Sequence, residues 1–341
     1  MGRVTIGDVA AQAGVSVSTV SKVINDRYGV AETTSARIRT VIDELGYHAS
    51  LAGQSLRSRR TNVIGVLVRD IEPFSAELLK GVAEGIHGTG FELVVFSGCG
   101  QQPDQAGWER RYLARVSGTL ADGVILVTPG SVDAAAGSPV VAVDHNVRSS
   151  ALPTVDSENF LGAVSAVEHL IRLGHRRIGF VAGRTDLESA RLREAAYRHA
   201  LEQAGIAFDP MLVGEGGFQP ETAREATNGL LALGVRPTAI FAANDGMALA
   251  VMSAATDRGL AIPRDLSVIG FDNVPESALA TPPLTTVEQP IRQMGVEAVR
   301  ILMALLEEPT RAPERVVLPT RLIVRQSCRP LEAQSADAAR A

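Results

Sequence analysis

Cysteine is nearly absent: the 341 residues hold two, Cys99 and Cys328. Thiols so far apart in sequence make neither a metal-ligand cluster nor a disulfide framework, and a reducing compartment is the simpler expectation. Residues 1–10 lack the apolar core of a secretory signal. No apolar run approaches the ~18 residues of a membrane span. A cytoplasmic chain with no membrane partner is therefore expected. Catalytic signatures are missing as well: there is no P-loop, no Gly-x-Ser-x-Gly elbow and no His-Glu-x-x-His pair. His169 and His175 do not have the spacing of a His-x3-His pair. No metal, no cofactor and no enzymatic activity are expected. The single tryptophan, Trp108, lies in a charged helical stretch and reads as a packing residue.

Hydrophobic residues make up 45%, and the length allows two or three domains. The net charge of −5 is unevenly placed. Residues 1–60 hold eight Lys or Arg against five Asp or Glu, so this segment is +3 and the remainder −8. A small basic module joined to a large acidic one fits nucleic-acid binding at one end.

The basic segment reads as three short helices. Thr5 and Asp8 form a capping box ahead of Ile6, Val9, Ala10 and Ala13 at helical spacing. Gly14 supplies a turn, Ser16 caps a second helix, and Val20, Val23 and Ile24 give that helix an apolar face. A third runs from about Thr33 to Leu45 and stops at Gly46. The second helix carries Val17, Ser18, Ser21 and Lys22 on its outward side. Val17 suits a thymine methyl, Ser18 a base edge, and Lys22 guanine O6/N7. The hydroxyls of Thr5, Ser16, Thr19 and Ser21 suit phosphate oxygens. Three helices sharing one apolar face also describe a generic protein-interaction bundle.

From Thr61 the pattern changes to short β-rich runs: 63–68, 91–96, 123–127, 140–143, 178–181, 239–242 and 267–271. Helical stretches such as 74–87, 160–173 and 247–258 separate most of them. This alternation predicts parallel α/β sheets. Ligands in such sheets bind beyond the carboxyl ends of the strands. The residues there are polar: Asp70, Asp144-His145, Asn244-Asp245 and Asp272-Asn273. Acids and amides converging on a cleft suit a ligand rich in hydroxyls. Arg193 could complete the hydrogen-bonding ring, and Phe74 and Phe218 could pack on a ring face. A turn or helix-cap role remains open for any single Asp at a strand end, and a structural turn is the reading of Gly174-His175-Arg176-Arg177.

The run from Val4 to Asn25, VTIGDVAAQAGVSVSTVSKVIN, resembles the headpiece of LacI/GalR-type repressors. Residues 237–245, 259–273, 282–287 and 289–290, ending at Met294-Gly295, resemble the same family's C-terminal half, so the likeness spans about residues 3–327. It implies a helix-turn-helix headpiece at 1–48, all-α, and a hinge helix at 49–60. It further implies an α/β periplasmic-binding-protein-like domain of two Rossmann-like subdomains, at 61–157 with 289–316 and at 158–288 with 317–328. A disordered tail is expected at 329–341. By the resemblance, Val17, Ser18 and Lys22 read the major groove. Thr5, Ser16, Thr19, Ser21, Asn25 and Ser55 join the DNA contact, and Leu56 wedges the minor groove. Effector contacts fall on Phe74, Asp144, Arg193, Phe218, Asn244 and Asp272; Tyr197, four residues after Arg193, supports the alignment of that arginine.

The chain departs from the family pattern at Ala49 for Pro, Gly53 for Ala, Ala196 for Gly, and Glu158-Asn159 for Asp-Asn. Glycine inside a helix costs ~1 kcal/mol relative to alanine, so a hinge weakened by Gly53 is expected. The function implied is a sequence-specific repressor, a homodimer on a palindromic double-stranded operator, controlled by a small-molecule effector, most simply a sugar or sugar phosphate. The tail lacks the leucine heptads of a tetramer. A solute-binding protein without a DNA role is the alternative that the large domain alone would allow.

Overall fold

The computed structural model describes residues 4–24, 27–47, 60–98, 108–117, 120–129, 139–145 and 152–331. Two compact units emerge, Met1–Thr61 and Asn62–Ala341.

The first unit contains α1 (Ile6–Ala13), α2 (Val17–Ile24) and α3 (Glu32–Leu45). The capping box at the start of α1 forms in both directions. Thr5 N–H donates to Asp8 Oδ2 at 2.8 Å, and Asp8 N–H reaches back to Thr5 Oγ1 at 3.4 Å. Gly14 and Gly46 end α1 and α3 with φ of 64° and 60°, backbone that a side chain would strain. Val9, Val20 and Ile38 are fully buried where the three helices meet. Burying such a side chain stabilises by roughly 1.5–3 kcal/mol, which is how a module this small holds one shape. Asn25, Ser55 and Leu56, and residues 49–59 of the hinge expected at 49–60, lie outside the described residues.

The second unit contains two six-stranded sheets. The first has the order β11-β5-β4-β3-β1-β2, formed by β1 (Val63–Val68), β2 (Glu92–Ser97), β3 (Gly123–Val127), β4 (Val140–Val143), β5 (Thr154–Ser157) and β11 (Arg315–Leu318). The second has the order β12-β10-β9-β8-β6-β7. Its strands are β6 (Ile178–Ala182), β7 (Val213–Glu215), β8 (Ala239–Ala242), β9 (Ser267–Asp272), β10 (Thr285–Glu288) and β12 (Arg321–Ile323). Every pairing is parallel except β10 with β12. Parallel strands are covered on both faces by their crossover helices. That is why β1, β3, β4, β6, β8 and β9 are buried along their whole length.

The helices that matter here are α4 (Pro73–Ile86), α5 (Trp108–Val116), α6 (Asn159–Arg172), α7 (Glu188–Gln203), α8 (Pro220–Leu231), α9 (Asp245–Asp257), α10 (Pro275–Leu279) and α11 (Ile291–Glu307). Helix α11 returns from the second sheet to pack on α4. A Cβ on Gly81 would lie 2.0 Å from the Arg292 carbonyl oxygen, so glycine lets the two helices touch. Trp108 is 4% exposed and meets Tyr112 edge-on at 5.9 Å, the packing role expected of it.

The chain passes between the sheets three times: after β5, after β10 and after β11. The third passage falls later than the expected break at 316/317, because Val317 and Leu318 pair in register with Asp156 and Ser157 of β5. Residues 329–331, expected to belong to a disordered tail, are instead tied to the domain. The Arg329 carbonyl lies 3.2 Å from His175 Nε2, and Leu331 N–H donates to the Leu173 carbonyl at 2.7 Å. His175 Nδ1 is 2.9 Å from Thr238 Oγ1, and its Nε2 is 3.1 Å from Ser267 Oγ. This buried ring ties the segment after α6 to β9 and the C-terminal stretch. Burial lowers its pKa.

Candidate effector cleft and DNA-binding face

Both sheets share the strand order 2-1-3-4-5 over their first five strands. In such sheets the chain turns in opposite directions from the first strand, and a crevice opens beyond the carboxyl ends there. A cleft lies at this place, lined from both subdomains. Phe74, Asp144, Arg193, Phe218, Asn244 and Asp272, the six residues expected to meet an effector, all line it.

Arg193 is the hub. It is 3% exposed and sits in the second turn of α7. Its Nε and Nη2 donate to Asn159 Oδ1 at 2.9 and 2.8 Å, and its Nη1 to the Ala243 carbonyl at 2.5 Å. Asp272 Oδ1 is 3.6 Å from Nη1. The guanidinium stands over the Phe271 ring at 3.8 Å and 5.9 Å from the Phe218 centroid. Behind it Tyr197 stacks on Phe180 and donates to the Ile178 carbonyl at 2.8 Å, which fixes the helix that carries Arg193.

The two acids are held differently. Asp272 is 4% exposed and accepts from Gln289 Nε2 at 2.6 Å; Gln289 in turn accepts from Ser157 Oγ. Burial raises the Asp272 pKa well above the usual carboxylate range, against the pull of Arg193. Asp144 accepts from Ser189 Oγ at 3.1 Å. Its pKa is pushed up to about 6 by burial, with Arg193 opposing. Asn244 caps α9 by accepting from Met247 N–H at 2.9 Å.

Four cleft residues hold positive φ: Thr128 (46°), Asp144 (54°), Phe218 (61°) and Asp272 (120°). Strained non-glycine backbone costs of order 1–3 kcal/mol per residue and gathers where a side chain must be aimed. Phe218 shows the aiming directly. A Cβ on Gly183 would lie 2.2 Å from its ring, so the ring rests on bare backbone.

Each polar strand-end pair splits between two tasks. Asp144, Asn244 and Asp272 line the cleft; His145, Asp245 and Asn273 do not. Asp245 accepts from Val274 N–H at 2.9 Å and Thr286 Oγ1 at 2.5 Å, bracing β9 and β10. Burial lifts its pKa to about 7. Sequence reasoning missed Arg69, Glu72, Arg184, Ser189 and Gln289, all on the cleft wall. Arg69 directly follows β1 and Gln289 directly follows β10, so the strand-end rule applied to every polar type would have found both. Glu72 caps α4, accepting from Phe74 and Ser75 N–H at 2.8 Å each.

In the first unit, Val17, Ser18 and Lys22 are exposed on one side of α2, and Ser21 is half-buried beside them. Val17 is an apolar side chain 41% exposed on an otherwise polar surface. Ser16 Oγ bonds Ser18 Oγ and Thr19 Oγ1, both at 2.8 Å. Thr5 donates its hydroxyl proton to Asp8 at 2.7 Å. These hydroxyls shape the helix starts.

Comparison with known proteins agrees with both units. Residues 5–50 match the model described as bacterial regulatory proteins, lacI family, and residues 167–328 match the periplasmic binding protein-like domain. The HTH-type transcriptional repressor PurR of Haemophilus influenzae is 34% identical over 95% of this chain and 98% of its own length. The chain belongs to the LacI family. It is a DNA-binding transcriptional repressor with a ligand-binding domain, and its relatives are regulators rather than enzymes. Among solved structures, a lac repressor dimer bound to operator and the anti-inducer ONPF superposes with a TM-score of 0.81 at 28% identity, covering 96% of this chain and all of that one. The complex of the transcriptional regulator CelR with cellobiose gives 0.70 at 33% identity, covering 95% and 100%. In this LacI-family member no helix among the described residues is long and apolar enough to cross a membrane.

Proposed function

We propose that this repressor works as a homodimer on a palindromic operator and is switched by a sugar or sugar phosphate held in the cleft. The observation that carries the effector reading is the set Asp144, Asn244, Asp272 and Arg193 around one space, with Phe74 and Phe218 beside them. Carboxylates and amides pair with hydroxyls as acceptors and donors, and an aromatic face suits the apolar face of a sugar ring. CelR, similar over its full length, is described with cellobiose. Val17, Ser18 and Lys22 read the major groove; Asn25, Ser55 and Leu56 complete the DNA contact. The neighbouring hydroxyls of Thr5, Ser16, Thr19 and Ser21 meet phosphates. A DNA partner places the protein in the cytoplasm.

Two subdomains lining one cleft give the ligand its leverage. A ligand that bonds both favours one inter-subdomain angle, and the coupling to DNA affinity is typically ~1–3 kcal/mol. The test is footprinting on the protein's own upstream region, repeated with a carbohydrate panel and with purines. Protection that changes with a carbohydrate supports the reading. Calorimetry in which purines bind and no carbohydrate does overturns it. A transport-type solute-binding role without DNA is excluded by any specific footprint.

A further inference from the structure

The cleft is electrically divided. Its floor holds Asp144 and Asp272 around the buried Arg193. Its rim holds two further arginines from opposite subdomains, Arg69 after β1 and Arg184 after β6, with side chains 28% and 22% exposed. Both stand at the switch point of their own sheet. Like charges facing each other are unfavourable unless something lies between them. Arg69 feels this: burial and then the positive charge of Arg184 lower its pKa. Its Nε is buried and has no hydrogen-bond partner among the described residues, and Glu109 is 3.8 Å from its Nη2. A buried guanidinium N–H without an acceptor costs on the order of 1–3 kcal/mol.

Arg184 is occupied, but by its own chain. Asp186 Oδ1 and Oδ2 accept from its Nε and Nη2 at 3.0 and 2.5 Å, the two-pronged geometry by which a guanidinium binds an oxyanion. Asp186 is half exposed and only two residues away, so the pair is local and open to competition from solvent-borne anions.

We infer that the cleft rim between Arg69 and Arg184 is an oxyanion subsite, at which the phosphate or carboxylate of an effector competes with Asp186 for the Arg184 fork. The inference rests on the carbohydrate reading above for what fills the floor, and adds that this carbohydrate is charged. An oxyanion here accepts from the Arg69 guanidinium and from the Arg184 fork together. It thereby turns the repulsion between the subdomains into attraction, which draws the cleft shut. A neutral sugar satisfies the floor but leaves the rim as it is.

The protein carries its own reporter. The ring centroid of Trp108, the only tryptophan in the chain, lies 5.7 Å from the Arg69 guanidinium carbon. Inorganic phosphate titrated into the full-length protein should change Trp108 emission saturably. Arg69→Gln and Arg184→Gln should each weaken that response at least tenfold, with far-UV circular dichroism unchanged. Asp186→Ala should tighten it several-fold, a gain that misfolding cannot imitate. Calorimetry with hexoses, their 6-phosphates and the matching uronates then separates the sources of charge. Preference of at least tenfold for the phosphates or the uronates supports the subsite and says which oxyanion it takes. Neutral hexoses binding as tightly as both charged sets overturns the subsite and leaves the carbohydrate reading intact. Phosphate bound through both arginines, with no carbohydrate of any charge binding, upholds the subsite and defeats the carbohydrate reading. A wild-type protein indifferent to phosphate, or a response untouched by all three substitutions, overturns the inference.

Discussion

Ser189 Oγ donates a 3.1 Å hydrogen bond to Asp144 Oδ2, joining the second residue of α7 to the residue that follows β4. The two belong to different subdomains, so this bond spans the cleft. Asp144 therefore has two tasks: it faces the effector space, and it holds the subdomains in register. A ligand hydroxyl that replaces Ser189 as donor exchanges one link for another, and effector chemistry then becomes inter-subdomain geometry.

The state of Asp144 makes the domain pH-sensitive in a defined direction. Its folded pKa, about 6, lies above the ordinary 3.8 because burial disfavours the carboxylate; Asp156 and Glu72 add to this and Arg193 opposes it. The folded state thus holds the proton more tightly than the unfolded chain. The stability contributed is present below about pH 4 and is lost as pH rises through about 6. Asp144→Asn keeps the neutral form at every pH. Its melting temperature relative to the wild type should climb between pH 4 and pH 6.5 and level off above. A difference that stays flat across that window contradicts the assignment.

Removing Arg193 should be costly for stability and not for binding alone. Arg193→Met strips the donors from Asn159 and the Ala243 carbonyl and leaves Asp272 buried without its counter-charge. Breaking one side of a buried pair costs about 3–5 kcal/mol. Urea unfolding of the effector domain should show a loss of that size. Arg193→Lys should recover part of it, since the charge returns without the two-pronged contact to Asn159. A loss below about 1 kcal/mol for Met would show that the pair is not held as described.

Gly183→Ala separates ring placement from fold. The added methyl meets the Phe218 ring, and that ring packs only partly on the core. The ring should turn away at modest cost in stability. Effector affinity, measured by calorimetry, should fall at least tenfold. An Ala variant with wild-type affinity means that Phe218 does not touch the ligand.

Thr5→Ala tests the headpiece. The substitution removes the hydroxyl half of the capping box that opens α1, the acceptor for Asp8 N–H, and leaves the backbone N–H bond to Asp8 in place. An N-cap loss costs about 1 kcal/mol. The headpiece transition should move down in circular-dichroism melts while the effector domain's transition stays put. An unmoved headpiece transition would assign the stability of α1 wholly to the packing of Val9 and Val20.

Much of this architecture is legible before folding is considered. The headpiece announces itself through local rules, because caps and apolar spacing are properties of neighbouring residues. Strands β1, β3, β4 and β8 are short apolar runs read with their observed bounds, and β6 and β9 fall one residue short at their ends. By contrast, β5 (Thr154–Ser157), β10 (Thr285–Glu288) and β12 (Arg321–Ile323) look like loops. All three pair with distant strands, and β5 and β10 are buried by it while β12 stays partly exposed: Val155 sits opposite Val316, and Thr286 opposite Ile323. The acids and amides of the cleft are legible because each stands at the carboxyl end of an apolar strand. Ser189 is not, because a serine in a helix carries no signal until Asp144 is brought to it. Arg184 escapes for a related reason: it lies two residues past β6, and its partner across the cleft is more than a hundred residues away.

The central claim is that a ligand in this cleft governs DNA affinity. The direct measurement is binding of full-length protein to a palindrome selected from a random duplex pool, titrated with the carbohydrate that calorimetry identifies. The account predicts a shift of about 5- to 150-fold in the wild type. It also predicts that the shift is lost in Arg193→Lys, although that variant still binds the palindrome without ligand, and that Lys22→Ala weakens binding whether or not ligand is present. Operator affinity that stays the same at saturating ligand, in a protein shown to bind both, would contradict it.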